Sequence, residues 1–416
     1  MKFSAKEVKL LIAMILISGI SSQAQQQYGW RGPDRSGIYK ESGLLKVWPA
    51  SGPALIWEAT EFGTGYSSVT ITDDAIYITG RKGDNDVLTA FTQTGRKIWE
   101  TPYGKSSDSD FPDTRGTPTV TNGKIFLISG MGDLVCISKE GKTLWSVGYF
   151  KKYEAVTPEF GISESPVVIG NKVIATPGGK KASMVAFNVE NGDVVWKTPS
   201  INDVDQYVNP LIIEFGGKKM IVTQFADFIF AVDSNTGKLI WKFNYAAENT
   251  GPEKRFAHIN TPVFRDGFLF IASGYNKVAL KLKLNPDGSV PKVVWRNNDL
   301  DPCLGGEILL GDCLFGSNWE TSSHGKWVAV DWNTGKTLWI KDWYNKGQII
   351  SADGMLYIYE EMTGHVGLVK PSADKFDLVS EFKITKGKGH FWAHPVIDKG
   401  RLFIRHGDYL GVYLIK

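Results

Sequence analysis

Short apolar runs rich in Val, Ile and Phe, some alternating with polar residues and some unbroken, recur from about Pro53 to the end of the chain. Gly, Asn and Asp separate them, and no long stretch keeps a helical period, so the pattern predicts β-strands throughout. Pairs of runs close around Asn122-Gly123, Gly170-Asn171 and Asp266-Gly267, which predicts tight hairpins. Thr117-Pro118, Ser165-Pro166, Thr261-Pro262 and His394-Pro395 introduce these hairpins at a corresponding point.

A third run and then a fourth follow each hairpin, and the fourth carries an aromatic residue. These aromatics are Trp57, Trp99, Trp145, Trp196, Trp241, Trp295, Trp339 and Phe382, spaced 42 to 54 residues apart. Residues 231–241 and 329–339 share the phrase Ala-Val-Asp-x-Asn-Thr-Gly-Lys-x-x-Trp. Four strands at this period predict the blade of a β-propeller, with strands a to d numbered outward from the axis. The Asp-x-x-Thr-Gly stretch suits the c–d turn, because Gly tolerates positive φ and Asp bonds nearby amides. The aromatic on strand d is expected to cover the next blade.

The chain end decides closure. Residues 396–415 supply strands a, b and c of a last unit but no d, and Pro53–Trp57 has the pattern of the missing strand. The expected fold is therefore all-β, an eight-bladed propeller of four-stranded antiparallel blades over residues 53–416. Its ring is closed by an N-terminal strand that completes the C-terminal blade and leaves no open edge.

Composition agrees, with 45 glycines and 12% aromatic residues in 416. Lys2, Lys6 and Lys9 ahead of the apolar run 10–20, with small residues at Ser22-Gln23-Ala24, predict a signal peptide over 1–24 and an exported protein. No transmembrane span is expected after cleavage. Losing Lys2, Lys6, Lys9 and Glu7 from 47 basic and 44 acidic residues leaves a net charge near +1, which argues against nucleic-acid binding. Cys136, Cys303 and Cys313 have no zinc spacing and are expected to be free, buried thiols.

The repeated Trp phrase resembles the tryptophan-docking motif of the pyrroloquinoline quinone (PQQ) superfamily, in which BamB-like secreted scaffolds sit beside quinone-dependent dehydrogenases. Trp30-Arg31-Gly32-Pro33-Asp34-Arg35-Ser36-Gly37 resembles a lead-in of secreted members. A turn-rich strap over 25–52 is expected, with Trp30 packed and Arg31 or Arg35 bonded to carbonyls. The resemblance implies a Glu ligand for calcium in a Gly-Gly-Ala-Glu loop, where this chain has Gly178-Gly179-Lys180-Lys181-Ala182. It implies an Asn ligand one blade later, near Gln224, where the expected glycines are missing. The adjacent-cysteine disulfide of many members has no counterpart either.

Residues leading into the a strands are expected to face an axial funnel. The ligand-binding candidates are Tyr66, Arg115, Glu164, Asn209, His258, Asn260, Glu307, Trp392 and His394. Tyr149-Phe150, Phe160 and Trp343-Tyr344 are candidate exposed contact residues. The reading these features favour is a monomeric, non-catalytic binding or scaffold propeller, secreted and by resemblance periplasmic, with a protein or glycan partner in the cell envelope. No catalytic residue, metal or cofactor is expected. The alternative is an alcohol or sugar dehydrogenase that holds PQQ and Ca²⁺ in a non-standard funnel site.

Overall fold

Each hairpin and its two following strands make one antiparallel sheet in the computed structural model, which describes residues 27–249 and 257–416. Eight such sheets form the ring of an eight-bladed propeller. Blades 1 to 7 span residues 70–105, 119–148, 167–198, 211–244, 263–297, 308–341 and 347–383. Blade 8 takes its three inner strands from 396–414 and its outer strand, Ala54–Ala59, from the other end of the chain. That outer strand pairs antiparallel with Tyr409–Leu414, which closes the circle. The expected signal peptide lies outside the described residues, and no described helix is long and apolar enough to cross a membrane.

The Trp phrase works by local geometry. Asp233 Oδ1 accepts bonds from the amides of Asn235 and Thr236 and from the Thr236 hydroxyl, and Asp331 holds Thr334 in the same way. The ladder then slips by one residue just before the aromatic, which sets Trp99, Trp196, Trp241 and Trp339 opposite Ala90, Ala186, Ala231 and Ala329 of strand c. A bulge of this kind re-aims the side chain that follows it. The ring of Trp196 lies against Gly237 of the next blade, and a Cβ there would stand 2.3 Å from it. Trp57, Trp99, Trp145 and Trp295 meet Gly95, Gly141, Gly192 and Gly335 likewise. Indole N–H groups of Trp99, Trp145, Trp196, Trp295 and Trp339 donate to carbonyls of the following blade. Trp241 and Phe382 pack in apolar clusters shared with blades 5 and 8.

The segment before blade 8's outer strand runs under the ring and into its centre. Ile38–Tyr39 adds a parallel fifth strand to Gly347–Ala352, and Leu44 and Trp48 are buried against blades 7 and 8. Arg31, only 3% exposed, donates to the carbonyls of Gly305, Glu307, Ile349 and Ser36. Arg35 donates to Ser165 O and Pro166 O. The strap therefore ties blades on several sides of the axis together.

Two expectations are corrected. Tyr149 and Phe150 are not exposed: they form a one-turn helix, Tyr149–Lys152, whose aromatic pair is buried in the core between blades 2 and 3. Trp343 is also buried, whereas Tyr344 is exposed. The three cysteines are free, but Cys313, at the start of strand b in blade 6, is half-buried.

Candidate functional site

Strand a of every blade runs away from one face of the ring and strand b returns to it, so crossovers and b–c turns crowd the same axial mouth. There they enclose a funnel of about 360 Å³. Trp30 of the strap lines it edge-on to His394, with ring centroids 5.5 Å apart. Tyr66, Phe111, Phe160, Tyr207 and Trp392 come from successive crossovers, and Tyr275 and Trp319 from b–c turns. Their rings touch in series. Tyr66 to Trp392 is 4.9 Å, Trp392 to Phe111 5.3 Å, Phe111 to Phe160 5.8 Å and Phe160 to Tyr207 6.1 Å. His390 stacks on Trp392 at 4.0 Å, and Tyr275 meets Trp319 at 4.4 Å.

Polar groups punctuate this collar. Arg115 lies over the Tyr66 ring at 5.8 Å and donates to Phe111 O; burial lowers its pKa, countered by the Tyr66 and Tyr207 hydroxyls and Asp113. Glu361 forms a buried 2.9 Å ion pair with Lys346, whose ammonium also donates to Thr321 O and Ser322 O and sits 4.7 Å from the Trp319 ring. That pair fixes the loop presenting Trp319.

Of the residues anticipated from sequence, Tyr66, Arg115, Asn209, Trp392 and His394 line the funnel. Glu164, His258, Asn260 and Glu307 are outside its lining. Glu164 bonds the amide and hydroxyl of Thr176. His258 bridges Ser273 and Ala226 O, Asn260 joins Pro302 O to the Gly306 amide, and the Glu307 carboxyl stands near Arg31.

The cause is strand parity, because neighbouring side chains on extended backbone point to opposite faces. Five crossovers end on a proline, and the third residue before it lines the cavity every time: Arg115, Ser163, Tyr207, Ile259 and Trp392. Glu164 and Asn260, two before their prolines, fall on the other face. The b–c aromatics Tyr275 and Trp319 had a signal too, since each lies just beyond a strand b that returns to the funnel face.

A calcium–quinone site needs carboxylate and amide oxygens converging on one point. The four candidates Glu164, Asn209, Asn260 and Glu307 do not converge on the funnel, and Asn209 spends its oxygen on the Ser165 amide. Lys181 pairs with Glu154 at the surface. These residues do not fit the calcium and quinone that the resemblance to PQQ enzymes implies. Among the described residues no group of three or more His, Cys, Asp or Glu is placed to hold a metal ion.

Burial pushes the Glu307 carboxyl up to about 8, with Arg31 opposing, and burial likewise takes Asp301 to about 8. Unfolding between pH 6.5 and 8 releases these protons, so stability should fall as pH rises through that window. Below it His258, lowered to about 4 by burial, works in the opposite sense, since only the unfolded chain gains a proton there. The slope of denaturant midpoints across pH 6.5 to 8 should lessen in Glu307→Gln while the share due to Asp301 remains; an unchanged slope would show that Glu307 ionises normally.

Comparison with known proteins agrees with this architecture. The family model described as outer membrane protein assembly factor BamB matches residues 83–341, more than half of the chain. The chain belongs to that family. A curated BamB of Shewanella oneidensis is 20% identical over 262 residues, covering 60% of this chain and 62% of the relative. The chain thus spans less than two thirds of that relative's length. The quinoprotein alcohol dehydrogenase PedH of Pseudomonas putida is 28% identical over 151 residues, 33% of this chain and 23% of the relative. The crystal structure of BamB from Moraxella catarrhalis superposes with a TM-score of 0.62 at 15% identity, over 87% of this chain and 99% of that one.

Proposed function

We propose that this chain is an exported, non-catalytic scaffold propeller of the cell envelope, of the BamB type, whose funnel face takes a protein or glycan partner. The observation that carries the reading is the division of labour in the crossovers. Aromatic side chains line the mouth, while Glu164 and Glu307, the acids best placed by sequence to serve chemistry, lie outside the lining. A concave, largely apolar mouth with few polar groups favours binding over acid–base work. Family membership supports the scaffold role, and the BamB relatives support an envelope location.

The test is crosslinked capture from envelope extracts at low salt. The parent chain and the rim control Ile340→Ser should recover a stoichiometric partner; Ile340 is exposed on an outer strand. Trp392→Ala combined with Trp319→Ala should reduce recovery by about tenfold or more, the effect of losing buried aromatic anchors. Equal recovery by the double variant, or none by the parent, would refute the reading. Saturable binding of PQQ with Ca²⁺, with alcohol oxidation lost in Glu164→Gln, would replace it with a quinone-dependent enzyme.

A further inference from the structure

Beneath the Phe160–Tyr207 stretch of the funnel wall, two crossovers are stitched together. The Phe160 amide donates to the Tyr207 hydroxyl at 3.0 Å, the Ser163 hydroxyl to Tyr207 O at 3.2 Å, and the Ser165 amide to Asn209 Oδ1. Between these stitches lie two buried acids, Glu164 at 1% and Asp205 at 3% exposure. Both reach Thr176. Its hydroxyl oxygen is 2.7 Å from Glu164 Oε2 and 3.2 Å from Asp205 Oδ1, and its amide donates to the same Glu164 oxygen at 3.1 Å.

A hydroxyl has one hydrogen to give. When Thr176 donates to Glu164, its bond with Asp205 requires that Asp205 carry a hydrogen and donate it to the Thr176 oxygen. Burial raises both carboxyls, but two donors from Thr176 and the nearby Arg35 guanidinium oppose it at Glu164, which is therefore the first of the pair to ionise. We propose that Glu164, Thr176 and Asp205 form a proton-held latch, in which one shared proton clamps the 199–210 crossover onto the funnel wall and its loss loosens that wall.

The charged and titratable groups facing the latch do not supply a substitute. Arg35 of the strap favours the Glu164 anion, while Asp203 and Glu164 both disfavour an anion at Asp205. Tyr149 approaches from the short helix with its hydroxyl held neutral by burial and by the same two acids, and Tyr207 is held neutral by burial. Burial first, and then the Glu164 charge, raises the Asp205 carboxyl well above the usual range. The closed latch keeps a proton that the open crossover releases. Its opening constant therefore grows with pH from the ordinary carboxylate range up to the point where the pair itself ionises, and only then levels off. If the funnel is the binding face proposed above, its wall is firmest on the acid side.

Amide hydrogen exchange across pH, corrected for the intrinsic chemical rate, tests the latch in the whole protein without any partner. It therefore fails or succeeds separately from the scaffold reading. Between about pH 5 and about pH 7, residues 199–210 should open about tenfold more per pH unit, while the strands of blade 5 stay level. Asp205→Asn provides an amide N–H for Thr176 with no proton to lose, and should make exchange of the crossover independent of pH. Glu164→Gln removes the neighbouring charge but leaves Asp205 buried, so it should weaken the pH dependence without abolishing it, and it covers the case in which Asp205→Asn does not fold. Identical pH dependence in the parent and either variant, or none in the parent, would overturn the latch.

Discussion

Arg31→Ala is expected to lower unfolding stability by about 3–5 kcal/mol, read from denaturant midpoints, because one guanidinium serves three buried carbonyls and the half-buried Ser36 carbonyl, none of which has another side-chain donor among the described residues. Removal leaves the carbonyls of Glu307 and Ile349 facing an apolar methyl and Gly305 O with only the Ile349 amide at 3.3 Å, and each acceptor that loses its donor keeps its desolvation cost. Arg31→Lys should restore less than half of the loss. A lysine carries the charge but lacks the planar fork that reaches carbonyls from separate chain segments at once. A loss under 1 kcal/mol would mean that the strap rests on the ring without bracing it.

The second large effect is at the blade seams. Gly237→Ala should cost about 3–5 kcal/mol, for two separable reasons. Its φ of +69° is a conformation that side chains rarely adopt, and the new methyl would meet the Trp196 ring at 2.3 Å. Gly123→Ala separates the two contributions. Gly123 has a φ of +71° and nothing within 4 Å of an added Cβ, so it bears the backbone strain alone, about 1–2 kcal/mol. Equal destabilisation of the two variants would remove ring-on-glycine packing as the force that joins the blades.

Much of this was legible in the chain. Trp spacing, the Asp-x-x-Thr-Gly turn and the missing last strand are local signals, each with one economical reading, and they lead to eight blades and to the pairing of residues 54–59 with 409–414. The funnel was legible by position but not by facing. Ser163, Glu164 and Ser165 are adjacent, yet only the serines line the cavity. A one-residue error in phase exchanges lining for interior, and the phase becomes visible only when several crossovers are aligned on their prolines. The buried Tyr149-Phe150 pair was opaque for another reason. Four residues of helix in an all-β chain leave no periodic trace, and burial there depends on how blades 2 and 3 pack.

The strap's anchoring has a kinetic corollary. Its arginines grip carbonyls of segments more than a hundred residues away along the chain, and those acceptors come together only once the ring has formed. Docking therefore needs the assembled ring, and weakening it is expected to leave refolding speed nearly untouched while shortening the lifetime of the native state, as the two arms of a denaturant rate plot would show.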